Sequence, residues 1–272
     1  MTDNILLSVC TALTVMLTII GCGHKQVAFI GHRGASHIAP ENTVASVKLA
    51  WELGADGAEI DIYLTSDSRI VANHDDTTKR TGGIDYTVID TDSEILRMLD
   101  VGSWKSQRYK GEKIPFLEEI IATVPDDRIL VIEIKDSRPE ILSPLKKIVN
   151  TSGKKGSFVF IAFDYEIICG AKEAMPEIPA YWLSGSRKDE NTGKVLPYSA
   201  ELIEKTKAGG LDGLNLHHGG VTAEFAKKVR KAGLGLYVWT VNDPETARRM
   251  VEYGVDAITT DRPSWLKEQI TK

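Results

Sequence analysis

Apolar residues along this chain fall into short runs rich in Val, Ile, Leu and aromatic side chains, set between longer stretches with helical spacing. The runs predict strands at 27–31 (VAFIG), 57–64 (GAEIDIYL), 70–73 (IVAN), 129–134 (ILVIEI), 157–162 (SFVFIA), 180–183 (AYWL), 213–216 (GLNL), 235–241 (GLYVWTV) and 256–260 (DAITT). The spacing between them predicts helices at 43–53, 116–123, 140–150, 164–174, 199–208, 222–232 and 244–253. Pro244 after Asn242-Asp243, and Gly233 behind the preceding helix, are the residues that helix ends favour. Strands alternating with helices indicate a parallel sheet with helical crossovers.

Nine strands are one too many for an eight-stranded barrel. The excess resolves at Thr65–Arg69, five residues that cannot hold a crossover of a dozen or so. Residues 70–73 must therefore return antiparallel to 57–64. A turn centred near Asp67 sets residue 74 opposite residue 60 and brings His74 level with Glu59 and Asp61. The other eight strands can close into a (β/α)8 TIM barrel, a fold of about 250 residues, and the 272-residue chain suits one such domain over 22–272. Residues 75–115 are too long and too polar for a simple connection. They read as a small inserted cap segment over the barrel mouth, where long functional loops sit. Within it Thr91 and Glu94 have capping-box spacing ahead of Ile95–Leu99.

The strand ends carry the chemistry. Glu59 and Asp61 are two apart, so they share a face of their strand. Two inward acids are costly to desolvate unless a cation neutralises them. Glu133 closes its own apolar run in the same way. Three carboxylates without Cys or His at ligand spacing select Ca²⁺ or Mg²⁺ over zinc, and Ca²⁺ is favoured. His32 follows the first strand directly, and His74 arrives independently beside the acids; two imidazoles can serve as general acid and general base. Arg33 and Lys135 are candidate phosphate contacts, the alternative for each being an ion pair, Arg33 with Glu41 and Lys135 with an acid of the metal site. Glu41 is expected to orient its loop. Trp239 either walls the pocket or belongs to the core. Asp261 ends the last strand as a helix cap or supporting group. Adjacent His217 and His218 should diverge, so that at most one faces the site, and Phe163 and Tyr165 either line the pocket or, as the better reading, belong to the core.

Charge adds an exclusion. Lys and Arg number 33 against 38 acidic residues, a net −5 with no basic stripe, which argues against nucleic acid as partner. Ile5–Ile20 is apolar or small, and 16 residues fall short of the roughly 20 of a membrane span. Residues 1–21 are expected to be a signal peptide. Ile19-Ile20-Gly21-Cys22 resembles a bacterial lipobox, although Met1–Asn4 lacks Lys and Arg. The expectation is an exported protein of the cell envelope, in contact with the membrane only through a lipidated Cys22. Cys10 would leave with the leader, and Cys169, alone in a helical stretch, is expected buried and inert.

Taken in order, HRG-x-x-x-x-APENT from His32 to Thr43, E-x-D at Glu59–Asp61, a hairpin ending in His74-Asp75, E-x-K at Glu133–Lys135, WTVN from Trp239 and TD-x-P from Thr260 resemble the glycerophosphodiester phosphodiesterases over residues 27–265. The resemblance implies a barrel with an inserted cap, one bound divalent cation, and hydrolysis of glycerophosphodiesters to sn-glycerol 3-phosphate and an alcohol such as choline or ethanolamine. Carried onto this chain, it makes His32 and His74 the acid–base pair, Glu59, Asp61 and Glu133 the metal ligands, and Arg33 and Lys135 the phosphate contacts. Ala162-Phe163 departs from the Ser-Phe of many relatives. The alternative is a phospholipase D-like hydrolase acting on lysophospholipids. A noncatalytic barrel lipoprotein would have no need of both histidines, and a metal-dependent aldolase would not need them with two phosphate-binding cations.

Overall fold

The nine apolar runs form the nine strands of a computed structural model that describes residues 27–271. The expected leader over 1–21 and Cys22 lie outside the described residues. The strands are β1 (Ala28–Gly31), β2 (Gly57–Leu64), β3 (Ile70–Ala72), β4 (Ile129–Ile134), β5 (Phe158–Ala162), β6 (Ala180–Ser184), β7 (Gly213–His217), β8 (Gly235–Trp239) and β9 (Ala257–Thr260). Parallel neighbours run β1-β9-β8-β7-β6-β5-β4-β2, and the β1–β2 pairing closes the ring. Eight parallel strands thus make the expected barrel. β3 hangs antiparallel on β2, pairing Ile62 with Ala72 and Leu64 with Ile70, the register of a turn centred on Asp67.

Strand alternation divides the apolar residues into two layers. Ile30, Val131, Val159, Ile161, Leu183, Tyr237 and Ala257 pack together as one cluster. Their strand neighbours Ile60, Ile62, Leu130, Ile132, Phe158 and Phe160 belong to the layer shared with the helices. These are fully buried or nearly so, and each contributes about 1.5–3 kcal/mol by leaving water. On β4, Val131 and Glu133 share one face. Parallel register then sets Glu59 beside Val131 and Asp61 beside Glu133, so the three acids lie on the barrel's inner face.

The predicted helices form within a few residues of their expected ends, with Thr43, Asp164, Thr222 and Asp243 capping four of them. A further helix, Pro263–Thr271, was not foreseen; its Lys267 pairs with Asp56 at 2.8 Å. None of the helices among the described residues is long and apolar enough to cross a membrane.

Residues 75–115 fold into short turns, Lys79–Gly82, Val88–Asp90, Ser93–Leu96 and Gln107–Tyr109, around a small core of Val88, Leu96, Leu99, Val101 and Ile114 set against Val71. The capping box at Thr91/Glu94 does not form. The helix starts at Ser93, whose N–H donates to Asp67 in the hairpin turn at 2.9 Å, while the Thr91 hydroxyl donates to the Thr87 carbonyl at 2.7 Å. A tertiary acceptor has replaced the local one. Cys169 is half-buried rather than buried, and desolvation raises its thiol pKa.

Candidate active site

The loop from His32 to Thr43 is held open by backbone that few residues adopt. Arg33 and Asn42 have φ of 53° and 56°, and Gly34 has φ of 81°. A Cβ on Gly34 would lie 2.5 Å from Ser46 Oγ, so glycine is required there. Ser46 Oγ donates to the Arg33 carbonyl at 2.9 Å while completing the capping box with Thr43. This turn sends the Arg33 N–H to Glu59 Oε2 at 2.8 Å.

Loop and strands hold the acidic trio from several sides. Carboxylate oxygens of Glu59, Asp61 and Glu133, one from each, lie within 4.8 Å of one another, and all three residues are buried. Asn42 Nδ2 donates to Asp61 Oδ2 at 2.7 Å. Arg33 Nε lies 3.5 Å from the same oxygen, and Lys135 Nζ lies 2.9 Å from Glu133 Oε1 and 3.4 Å from Asp61 Oδ1. Arg33 Nη1 also meets Glu41 Oε1 at 2.7 Å. The ion pairs weighed as alternatives for Arg33 and Lys135 are therefore formed, and both cations lie against the trio. Two fixed positive charges do not satisfy it. Buried Glu59 Oε1 has no hydrogen-bond partner among the described residues. Burial and the neighbouring Asp61 and Glu133 hold the Glu59 carboxyl well above its usual range, and burial with Asp61 pushes Glu133 up to about 7. Such a cluster of hard oxygens fits a divalent cation.

Each candidate histidine is gripped through Nδ1 by a carboxylate. His32 Nδ1 lies 2.7 Å from Asp261 Oδ1, and His74 Nδ1 lies 2.7 Å from Asp75 Oδ1. Against the cost of burial, hydrogen bonds from His32, Asn242 and Ser36 hold the Asp261 carboxyl down to about 2. An Arg80 hydrogen bond first, then His74, holds Asp75 down to about 2. Both acids are ionised and can only accept, so each Nδ1 carries the proton. Each Nε2 is left as the atom able to exchange protons. Burial lowers the His74 pKa, opposed by Asp61 and Asp75. Asp261 is thus a supporting group of His32. Asn42, Arg80 and Asn242 were missed: Asn42 and Asn242 each lie 19 positions from the acid they hold, Arg80 lies 39 from Glu41, and only the PENT, HD and WTVN runs marked their neighbourhoods.

Trp239 is half-buried at the end of β8. It stands edge-on to Phe163 at 5.7 Å and to His217 at 5.4 Å, and its indole N–H donates to the Asn215 carbonyl. Phe163 is 49% exposed, which corrects its expected place in the core; it follows β5 directly, beyond the last buried inward position, with Lys135 Nζ 5.9 Å from its ring. Tyr165 packs at the edge of the helix layer against Trp182. His217 and His218 do not diverge: β7 ends between them, the chain turns into a short 3-10 helix, and the rings stack at 4.6 Å.

Comparison with known proteins gives a consistent result. The sequence model of the glycerophosphoryl diester phosphodiesterase family matches residues 32–264. A glycerophosphodiester phosphodiesterase of Caldanaerobacter subterraneus subsp. tengcongensis is 32% identical over 249 residues, 89% of this chain and 97% of that protein. A human lysophospholipase D is 24% identical over 270 residues, 88% of this chain and 84% of its own. Among solved structures, an Oleispira antarctica phosphodiesterase in complex with the product sn-glycerol-3-phosphate superposes with a TM-score of 0.82 at 28% identity, covering 90% of this chain and 97% of that one.

Proposed function

Because the chain belongs to the glycerophosphoryl diester phosphodiesterase family, we propose that His32 and His74 are its acid–base pair, that Glu59, Asp61 and Glu133 hold one divalent cation, and that Arg33, Lys135 and Trp239 contact the substrate. The chain is a glycerophosphodiester phosphodiesterase. Product bound to the Oleispira relative supports sn-glycerol 3-phosphate as one product here, with a free alcohol as the other. Ca²⁺ is the preferred ion, because Mg²⁺ keeps several of its waters and is seldom caged by protein carboxylates alone.

The single observation that carries this reading is the pair of Nδ1-anchored imidazoles, at the ends of β1 and β3, together with a buried, undersatisfied acidic trio on β2 and β4. When bound, the cation supplies Lewis acidity to a non-bridging phosphoryl oxygen. Arg33 and Lys135 balance charge that develops on the phosphoryl oxygens. One imidazole removes a proton from the nucleophile, either water or the neighbouring glycerol hydroxyl (whose cyclic phosphate water then opens), as the nucleophile's oxygen bonds to phosphorus. The other gives a proton to the leaving alkoxide as the second P–O bond breaks. Trp239, edge-on to Phe163, walls the side of the pocket.

The test is turnover of glycerophosphocholine and of lysophosphatidylcholine, each with and without EDTA. Loss on chelation and recovery with Ca²⁺ are expected. Activity indifferent to EDTA would sink the metal assignment, and faster turnover of the lysolipid would replace the substrate class. The Ile19–Cys22 run supports tethering to the cell envelope through Cys22; C22A is expected to move the enzyme from the membrane to the soluble fraction, and an unchanged membrane fraction would refute the anchor.

A further inference from the structure

One side chain of the 75–115 insertion touches both walls of the site. Arg80, in the short helix Lys79–Gly82, donates from Nε to Asp75 Oδ2 at 2.7 Å. Its two Nη atoms donate to Glu41 Oε2 and Oε1 at 2.8 Å each. Asp75 is the carboxylate that grips His74, and Glu41 is the carboxylate that meets Arg33. A continuous chain of charge-assisted bonds therefore runs His74–Asp75–Arg80–Glu41–Arg33.

A guanidinium that is 44% exposed contributes little to stability as an ion pair. Its geometry is the informative part. A planar fork seated on both oxygens of one carboxylate, with its third nitrogen on a second carboxylate, fixes the distance and angle between the two acids. An ammonium in its place is a point charge and cannot span both. The two acids belong to different elements, Glu41 to the loop after β1 and Asp75 to the segment after β3.

We propose that Arg80 is a positioning residue for phosphodiester hydrolysis: by clamping Asp75 to Glu41 it aims the His74 imidazole at the phosphoryl group that Arg33 contacts. The inference rests on the acid–base role given to His74. It also gives the insertion a task, which is to lock the hairpin that carries His74 to the loop that carries Arg33. A purely structural Arg80 would tie the insertion down and nothing more. That duty is already shared by the insertion's own apolar core and by Lys105 Nζ, which donates to the Ser36 carbonyl at 2.6 Å.

The test is steady-state hydrolysis of glycerophosphocholine by the full chain with Ca²⁺, comparing R80A, R80K, R80M, D75N, H74A and the double variant H74A/R80A. R80A is expected to lower kcat by about 10–100-fold, the scale on which supporting partners of functional histidines act, with KM moving less. R80K should not restore it, while added guanidinium should recover part of the loss in R80A and none in H74A. D75N, which keeps the Arg80–Glu41 fork, should lose activity through His74 directly, and R80M, which keeps most of the apolar stem without the fork, decides the matter if R80A does not fold. The double variant should be no slower than H74A alone. Wild-type kcat in R80A, or an H74A/R80A loss equal to the product of the single losses, would overturn the proposal. Wild-type activity in H74A would instead remove the acid–base reading beneath it, a result visible whatever Arg80 does.

Discussion

Asn42 and Asp61 hold each other by two hydrogen bonds: Asn42 Nδ2 donates to Asp61 Oδ2 at 2.7 Å, and the Asp61 main-chain N–H donates to Asn42 Oδ1 at 3.0 Å. Asn42 reaches Asp61 from a left-handed backbone conformation, φ 56°, that asparagine tolerates better than most residues. The pair fixes the carboxylate rotamer and leaves Oδ1 toward Lys135. N42A should free that rotamer and weaken divalent-cation affinity by about 10–100-fold, the usual effect of losing an outer partner. Isothermal titration with Ca²⁺ measures it, and unaltered affinity would show that Asn42 serves only the loop.

The two Asp–His pairs predict a graded series. On the acid–base roles proposed for His32 and His74, H32A and H74A should each lower kcat by at least ~100-fold. D261N keeps the size of the side chain, but the amide is free to turn a donor toward His32 Nδ1 and so favour the wrong tautomer. D261N should therefore lose activity while keeping its thermal midpoint near that of the wild type. Residual activity above about a tenth in either alanine variant would remove that histidine from the acid–base pair.

Much of this arrangement was legible because it follows from strand periodicity. Period two put Glu59 and Asp61 on one face, and five residues between β2 and β3 forced the hairpin that delivers His74. The second half of the network was not legible. Arg80 reaches 39 positions back to Glu41, and Asp261 lies 229 positions from His32. No local pattern selects such partners, because only chain closure brings them together. The same competition undid the Thr91 cap, since Asp67 of the hairpin supplied a better acceptor for Ser93. Phe163 misled for another reason: an aromatic residue after a buried strand reads as core, whereas the barrel ends one residue earlier.

Glu41 predicts how stability depends on pH. Against the cost of burial, hydrogen bonds from Arg80 and the charge of Arg33 lower its pKa from 4.5 to about 2. A carboxyl depressed in the folded state stabilises the fold above its unfolded pKa, and that contribution fades as pH falls from 4.5 toward 2. With Arg80 half in solvent, the contribution at neutral pH is about 1–2 kcal/mol after screening. E41Q should accordingly be less stable than the wild type at pH 7, with the gap closing as both are acidified. Urea denaturation across that range tests it, and a gap independent of pH would mean that the ion pairs of Glu41 do not set its pKa.

Glu59 offers the sharpest separation between stability and function. Its Oε1 is buried without a partner, and Asp61 and Glu133 crowd it with like charge. Removing that charge relieves repulsion, so E59Q in the absence of cation should be as stable as the wild type or more so. A bound cation should reverse the order. At a hundred times its dissociation constant Ca²⁺ stabilises the wild type by about 2.7 kcal/mol, a rise of several degrees in thermal midpoint for a domain of this size. E59Q should lose that rise together with its activity. Melting curves of both proteins with EDTA and with Ca²⁺ make the comparison; an equal Ca²⁺ response in E59Q would place the ion elsewhere.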